Sequence, residues 1–161
     1  MAAERSVSFA GFDHVDSRVR DLAAARNFYD LLMPELGLCQ VVELDGSVEY
    51  YEPEHRGRAR RFYGLHEDRH HRPNSTRISF AAETPGDVDR LALIVARAGG
   101  GAIEGPEIPY SSEKYYAVIF EDPSGNRLEI AYRRPHDDAA MRLERDDAGE
   151  VIEAKDAFRA V

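Results

Sequence analysis

The spacing of apolar positions changes several times along the chain, and each change marks an element. Residues 8–19 alternate imperfectly, as a strand does. Beyond Asp21, the residues Leu22, Ala25, Tyr29, Leu32 and Leu36 recur at three- and four-residue intervals. That spacing predicts a helix with one apolar stripe, capped by Asp21 and ended or bent by Pro34. Gly37 marks the exit. Strand character returns over 38–43 and 47–52 around Asp45-Gly46, a hairpin signal. A charged loop over 53–60 leads to a fourth strand at 61–65. The order is β-α-β-β-β.

The segment 67–74, with His70, His71, Arg72 and Pro73, has the composition of a link between units. Beyond it the chain repeats its first half. A strand over 75–83 precedes Pro85-Gly86-Asp87, which opens a helix whose Val88, Leu91, Val95 and Ala98 repeat the earlier spacing. Gly99-Gly100-Gly101 stops it. A short strand at 102–103 and a Pro-containing loop to residue 112 lead into two antiparallel strands over 115–132, joined by Asp122-Pro123-Ser124-Gly125-Asn126. In the last strand Arg127, Glu129 and Ala131 point one way while Leu128, Ile130 and Tyr132 point the other. Glu129 is thereby a carboxylate set among partly buried residues.

A repeated unit with one helix on each small sheet predicts an α+β fold: two βαβββ modules whose sheets form an open, barrel-like cleft where their uncovered faces meet. The division is an N-terminal segment 1–7, a first module 8–66, a linker 67–74, a second module 75–133 and a charged C-terminal extension 134–161. Residues 8–133 together make one domain. In this repeat His14 and Arg77 hold comparable positions on the first strands, and Tyr63 and Glu129 on the last strands. The extension reads as an added hairpin, a contact with a neighbouring subunit or a solvated tail.

Composition narrows the partners. A formal net charge of −9 over 161 residues opposes binding to nucleic acid or an anionic membrane surface, because both require a positive footprint. With 43% hydrophobic and 32% charged residues the chain has the make-up of a soluble globular protein, and no apolar run approaches a membrane span. The start carries no apolar signal core, so a cytoplasmic location is expected. The single cysteine, Cys39, forms no intramolecular disulfide and reads as a structural thiol at the start of an apolar stretch.

Several short stretches together resemble the vicinal oxygen chelate superfamily, which includes glyoxalase I, bleomycin-resistance proteins, fosfomycin-resistance transferases and extradiol dioxygenases. In the first half they are Phe12-Asp13-His14-Val15, Val19-Arg20-Asp21-Leu22, Ala25-Arg26-Asn27-Phe28-Tyr29 and Leu36-Gly37-Leu38. In the second half they are Arg77-Ile78-Ser79-Phe80, Ala98-Gly99-Gly100 and the run from Phe120 to Glu129. The resemblance implies a divalent metal, Zn, Ni, Mn or Fe, held by one residue from the first and last strand of each module. In this chain those positions are His14, Tyr63, Arg77 and Glu129. The pattern is half kept. Imidazole and carboxylate suit such metals, whereas tyrosine is an uncommon ligand and arginine stays cationic with no lone pair to give. His66, His70 or His71 would be the source of a replacement imidazole.

Three functions are compatible with this reading. The first is a metal-dependent lyase, isomerase or dioxygenase in which His14 and Glu129 bind metal and Glu129 is catalytic. The second is a metal-free protein that binds or sequesters a small molecule, with Arg77 taking an anionic group and Tyr63, Tyr115 and Tyr116 lining an apolar site. Tyr50, Tyr51, Phe62 and Tyr110 belong to the same aromatic gathering. The third is an interaction module without a small-molecule role. The resemblance also implies a homodimer, since members pair units across chains.

Overall fold

The computed structural model describes residues 11–54, 60–106 and 115–133. The expected start of the first strand, part of the charged loop, Tyr110 with its loop, and the C-terminal extension lie outside the described residues. The element order is β1 (His14–Val19), α1 (Leu22–Leu32), a 3-10 turn (Pro34–Leu36), β2 (Gln40–Leu44), β3 (Ser47–Tyr51) and β4 (Phe62–Glu67). The second module runs β5 (Arg77–Ala82), α2 (Pro85–Ala98), β6 (Gly101–Glu104), β7 (Tyr115–Glu121) and β8 (Arg127–Arg133). Two βαβββ modules are present, as the repeat requires.

Both helices begin and end where their chemistry dictates. Asp21 caps α1 by accepting from the Ala24 amide at 2.9 Å. Thr84 and Asp87 cap α2 reciprocally, with Pro85 in the first turn, where its missing N–H costs nothing. Pro34 diverts the chain from α1 into the 3-10 turn. Gly99 closes α2 at φ 90°, a left-handed conformation that glycine adopts without a Cβ clash. Each helix buries one stripe, Ala25, Phe28, Tyr29 and Leu32 in α1 and Val88, Leu91, Ile94 and Val95 in α2.

Each module forms one four-stranded sheet, ordered β1-β4-β3-β2 and β5-β8-β7-β6, and neither closes into a barrel. The first strand of each module runs parallel to its last. Alternation gives each sheet a helix-covered face and a second face. Val15, Ser17, Val19, Tyr63, Leu65, Val48 and Tyr50 take the covered face in module 1, and Phe80, Leu128, Ile130, Val118 and Phe120 take it in module 2. All of these except the polar Ser17, together with the helix stripes, form one apolar cluster that spans both modules.

The join between modules runs through that cluster. Phe28 of α1 meets Phe120 of β7 at 6.1 Å between ring centres, and Tyr63 of β4 meets Phe80 of β5 edge-on at 5.4 Å. The β7–β8 turn completes it. Asp122, 3% exposed, accepts from the amides of Ser124 and Asn126, from the Asn126 side chain and from the Tyr29 hydroxyl of α1, each at 2.8 Å. Asn126 Nδ2 also donates to the Arg18 carbonyl at 2.9 Å, and the Arg20 amide donates to Ser124 Oγ at 3.0 Å. A turn of module 2 is thus fastened to β1 and α1 of module 1. Among the described residues, no helix is long and apolar enough to cross a membrane.

Candidate functional site

The open cleft lies where both modules contribute their first strands. Its volume is about 500 Å³, and its lining includes His14, Phe62 and Tyr63 from module 1 and Arg77, Ser79 and Phe80 from module 2. His14 stands at the start of β1 with its ring stacked on Phe62 of β4, 4.6 Å between centres and 4° from parallel. The register explains the stack, because His14 is the direct partner of Phe62. The same row continues to Tyr51, 4.8 Å from Phe62, and ends with the Arg60 guanidinium 4.6 Å over the Tyr51 ring. His14 Nδ1 lies 2.8 Å from Asp13 Oδ2. That hydrogen bond, helped by the negative fields of Asp16 and Glu49, raises the imidazole pKa above its ordinary value.

Glu129 sits elsewhere on its sheet, 3% exposed, and both its oxygens are engaged. Oε1 accepts from the Tyr115 hydroxyl, and Oε2 faces Arg77 Nε at 3.6 Å. Burial, then the bond to Glu129, pushes the Tyr115 phenol up to about 12, so Tyr115 keeps its proton and acts as donor. Arg77 and Arg133 oppose that rise, Arg133 lying 4.6 Å over the Tyr115 ring. Arg77, with a side chain 44% exposed, reaches from this cluster to the cleft.

The structure therefore brings His14 and Arg77 to one cleft and groups Glu129 with Arg77 and Tyr115. His14 and Glu129 have different partners: Asp13 and Phe62 for the first, Tyr115 and Arg77 for the second. Two expected placements shift. Tyr63 does not match Glu129. With His14 and Arg77 equivalent, the parallel registers Asp16 to Gly64 and Ser79 to Glu129 make Gly64 the counterpart. Tyr63 points to the covered face, 2% exposed, where its hydroxyl lies 2.6 Å from Ser17 Oγ and burial raises its pKa to about 12. Tyr63 nonetheless counts among the residues that line the cleft. Tyr116 likewise turns away from Glu129, its hydroxyl donating to Asp89 of α2 at 2.7 Å. Cys39 is exposed, not a buried structural thiol.

Sequence reasoning passed over Asp13 and Asp16. The Asp-His dipeptide was the available signal for the first. Asp16 is explained only by the register: a Cβ at Gly64 would fall on Asp16 Oδ1, so the missing side chain makes room for that carboxylate. Asp16 in turn contacts His66 Nε2 at 3.3 Å. His71, offered as a source of imidazole, instead bonds Asn126 of the turn at 2.8 Å.

The donors at the four positions fit a divalent metal poorly. His14 offers a nitrogen, but Gly64 offers nothing, Arg77 offers a cation, and Glu129 is committed to Tyr115 and Arg77. Among the described residues, no three His, Cys, Asp or Glu side chains are grouped to hold a metal ion.

Comparison with known proteins places this geometry. Among solved structures, the chain is similar to a glyoxalase/bleomycin resistance protein from Albidiferax ferrireducens T118, with 27% identity and a TM-score of 0.62 over 76% of this chain and 98% of that one. The fold is also that of the fosfomycin resistance protein FosX from Mesorhizobium loti, at 16% identity and a TM-score of 0.57, covering 79% and 95% of the two chains. A glyoxalase/dioxygenase from Nostoc punctiforme shares it at 20% identity and a TM-score of 0.56, covering 83% and 100%. No curated protein matches significantly. The sequence model of one family matches residues 11–130, nearly all of the two modules, and the chain belongs to that family, the Glyoxalase/Bleomycin resistance protein/Dioxygenase superfamily.

Proposed function

We propose that the chain binds a small molecule in the inter-module cleft through Arg77 and without a resident metal. One observation carries the reading. Where the family pattern calls for a ligand on β5, this chain has a guanidinium that faces Glu129 and also lines an apolar cleft. A fixed cation there takes the part of a metal's charge toward an anionic or polar group on the ligand. Phe62 and Phe80 supply apolar walls beside Tyr63, and His14 offers a stacked, hydrogen-bonding edge. Glu129 and Tyr115 orient Arg77. Tyr116 has no part in this reading.

A thermal-shift screen of small anionic aromatic compounds, run with and without chelator, tests it. Binders are expected to raise the melting temperature equally in both conditions. Arg77→Ala is expected to weaken them roughly tenfold, the scale of one charge-assisted hydrogen bond. Dependence of every binder on added metal, or indifference to Arg77→Ala, would sink the proposal.

A second reading, a divalent-metal lyase, isomerase or dioxygenase, is favoured by Asp13 alone. A carboxylate on Nδ1 of His14 is the arrangement that orients a metal-binding imidazole. Elemental analysis of protein purified without chelator decides between the two. For either reading we propose a cytoplasmic homodimer, on the grounds that β1 and β5 are both edge strands and Cys39 is an exposed thiol.

A further inference from the structure

A second concavity adjoins the cleft at Arg77. It also measures about 500 Å³ and is lined by Asn74, Ser75, Arg77, Glu121 and Arg127, with Pro73 and Gly125 at its wall. Arg77 thus belongs to both spaces, an apolar cleft on one side and a polar recess on the other. We infer that the recess is an oxyanion subsite, which takes the carboxylate or phosphate of a ligand whose apolar body occupies the cleft. The inference rests on the small-molecule reading of the cleft and adds to it the chemical class of the ligand and a second recognition residue, Arg127.

The register builds the site. Arg77 and Arg127 are direct partners on the parallel strands β5 and β8, so their side chains leave the same face side by side. Like charges directly opposite one another repel and require compensation. Each arginine has one carboxylate on one edge. Glu129 Oε2 is 3.6 Å from Arg77 Nε, and Glu104 Oε1 is 3.1 Å from Arg127 Nη2. The recess lining itself includes two arginines and one acidic residue, Glu121, the direct partner of Arg127 on β7. The side chains of Arg77 and Arg127 are 44% and 39% exposed, so an entering anion reaches both. Five N–H donors in a planar fork suit each to a carboxylate or phosphate.

The recess is also preformed. A Cβ on Gly125 would lie 3.0 Å from Pro73 Cγ, so the turn and the linker are already in close contact. His71 and Asn126 hold the same two segments together at 2.8 Å, and Asn126 anchors the turn to β1. Walls fixed in this way leave little ordering for a ligand to impose.

Calorimetric titration with benzoate, phenyl phosphate and the neutral benzyl alcohol tests the subsite on the full chain. The two anions are expected to bind about tenfold more tightly than the alcohol. Arg127→Gln should abolish that advantage and leave the alcohol's affinity unchanged, while Arg127→Lys, which keeps the charge and loses the fork, should retain part of it. An advantage that survives Arg127→Gln, or no advantage in the wild type, would overturn the subsite while leaving the cleft reading intact. Binding of none of the three would overturn both.

Discussion

His14 shows how one neighbour sets the behaviour of a side chain that is otherwise half open to solvent. Asp13 holds Nδ1, Phe62 fixes the plane of the ring, and the pKa rises. A folded pKa above the unfolded one stabilises the protein at pH values below the unfolded pKa, and that contribution disappears as pH rises through the folded pKa. Asp13→Asn is therefore expected to lower the His14 titration midpoint in proton NMR. The wild type's stability advantage over the variant should be largest below about pH 6, under the ordinary imidazole pKa, and fade above it. A midpoint that does not move would remove Asp13 from this role. That pairing was legible in principle, since the two residues are adjacent. The exchange of Gly64 for Tyr63 was not. Whether an aromatic side chain faces the cleft or the core depends on a one-residue difference in strand register, and β4 begins at Phe62, one residue later than the expected start at Arg61.

At the level of elements, the period of the sequence carried most of the fold. Both helices emerged from three- and four-residue spacing because each needs only one buried stripe, and β8 emerged because Leu128 and Ile130 alternate cleanly with Arg127 and Glu129. The β7–β8 turn was visible as a turn, but its partners were not. Nothing local in Asp122-Pro123-Ser124-Gly125-Asn126 says that its carboxylate receives a hydroxyl from a tyrosine 93 positions earlier. Burial and the surrounding negative charge push the Tyr29 phenol well up, so it remains a donor. Because Asp122 serves four donors in a buried setting, Asp122→Ala should cost about 3 kcal/mol or more in urea denaturation. Tyr29→Phe, which leaves three of those bonds, should cost about 1 kcal/mol. A smaller loss for the aspartate than for the tyrosine would show that the turn does not depend on its carboxylate.

Across the whole molecule, one apolar cluster serves two repeats, and the consequence concerns independence. Phe28 packs on Phe120, Tyr63 on Phe80, and Tyr29 reaches Asp122, so each half keeps its counterpart's interior dry. A gene cut at the linker should then yield two fragments that expose the inner sides of their helices and aggregate or stay unfolded when made separately. Mixed during refolding, the same fragments are expected to recover a cooperative melt as a reassembled pair, readable by circular dichroism. Autonomous folding of either piece would mean that the repeats are neighbours by tether alone. Joint recovery would make the peptide link dispensable, and with it the distinction between one chain of two repeats and two chains of one.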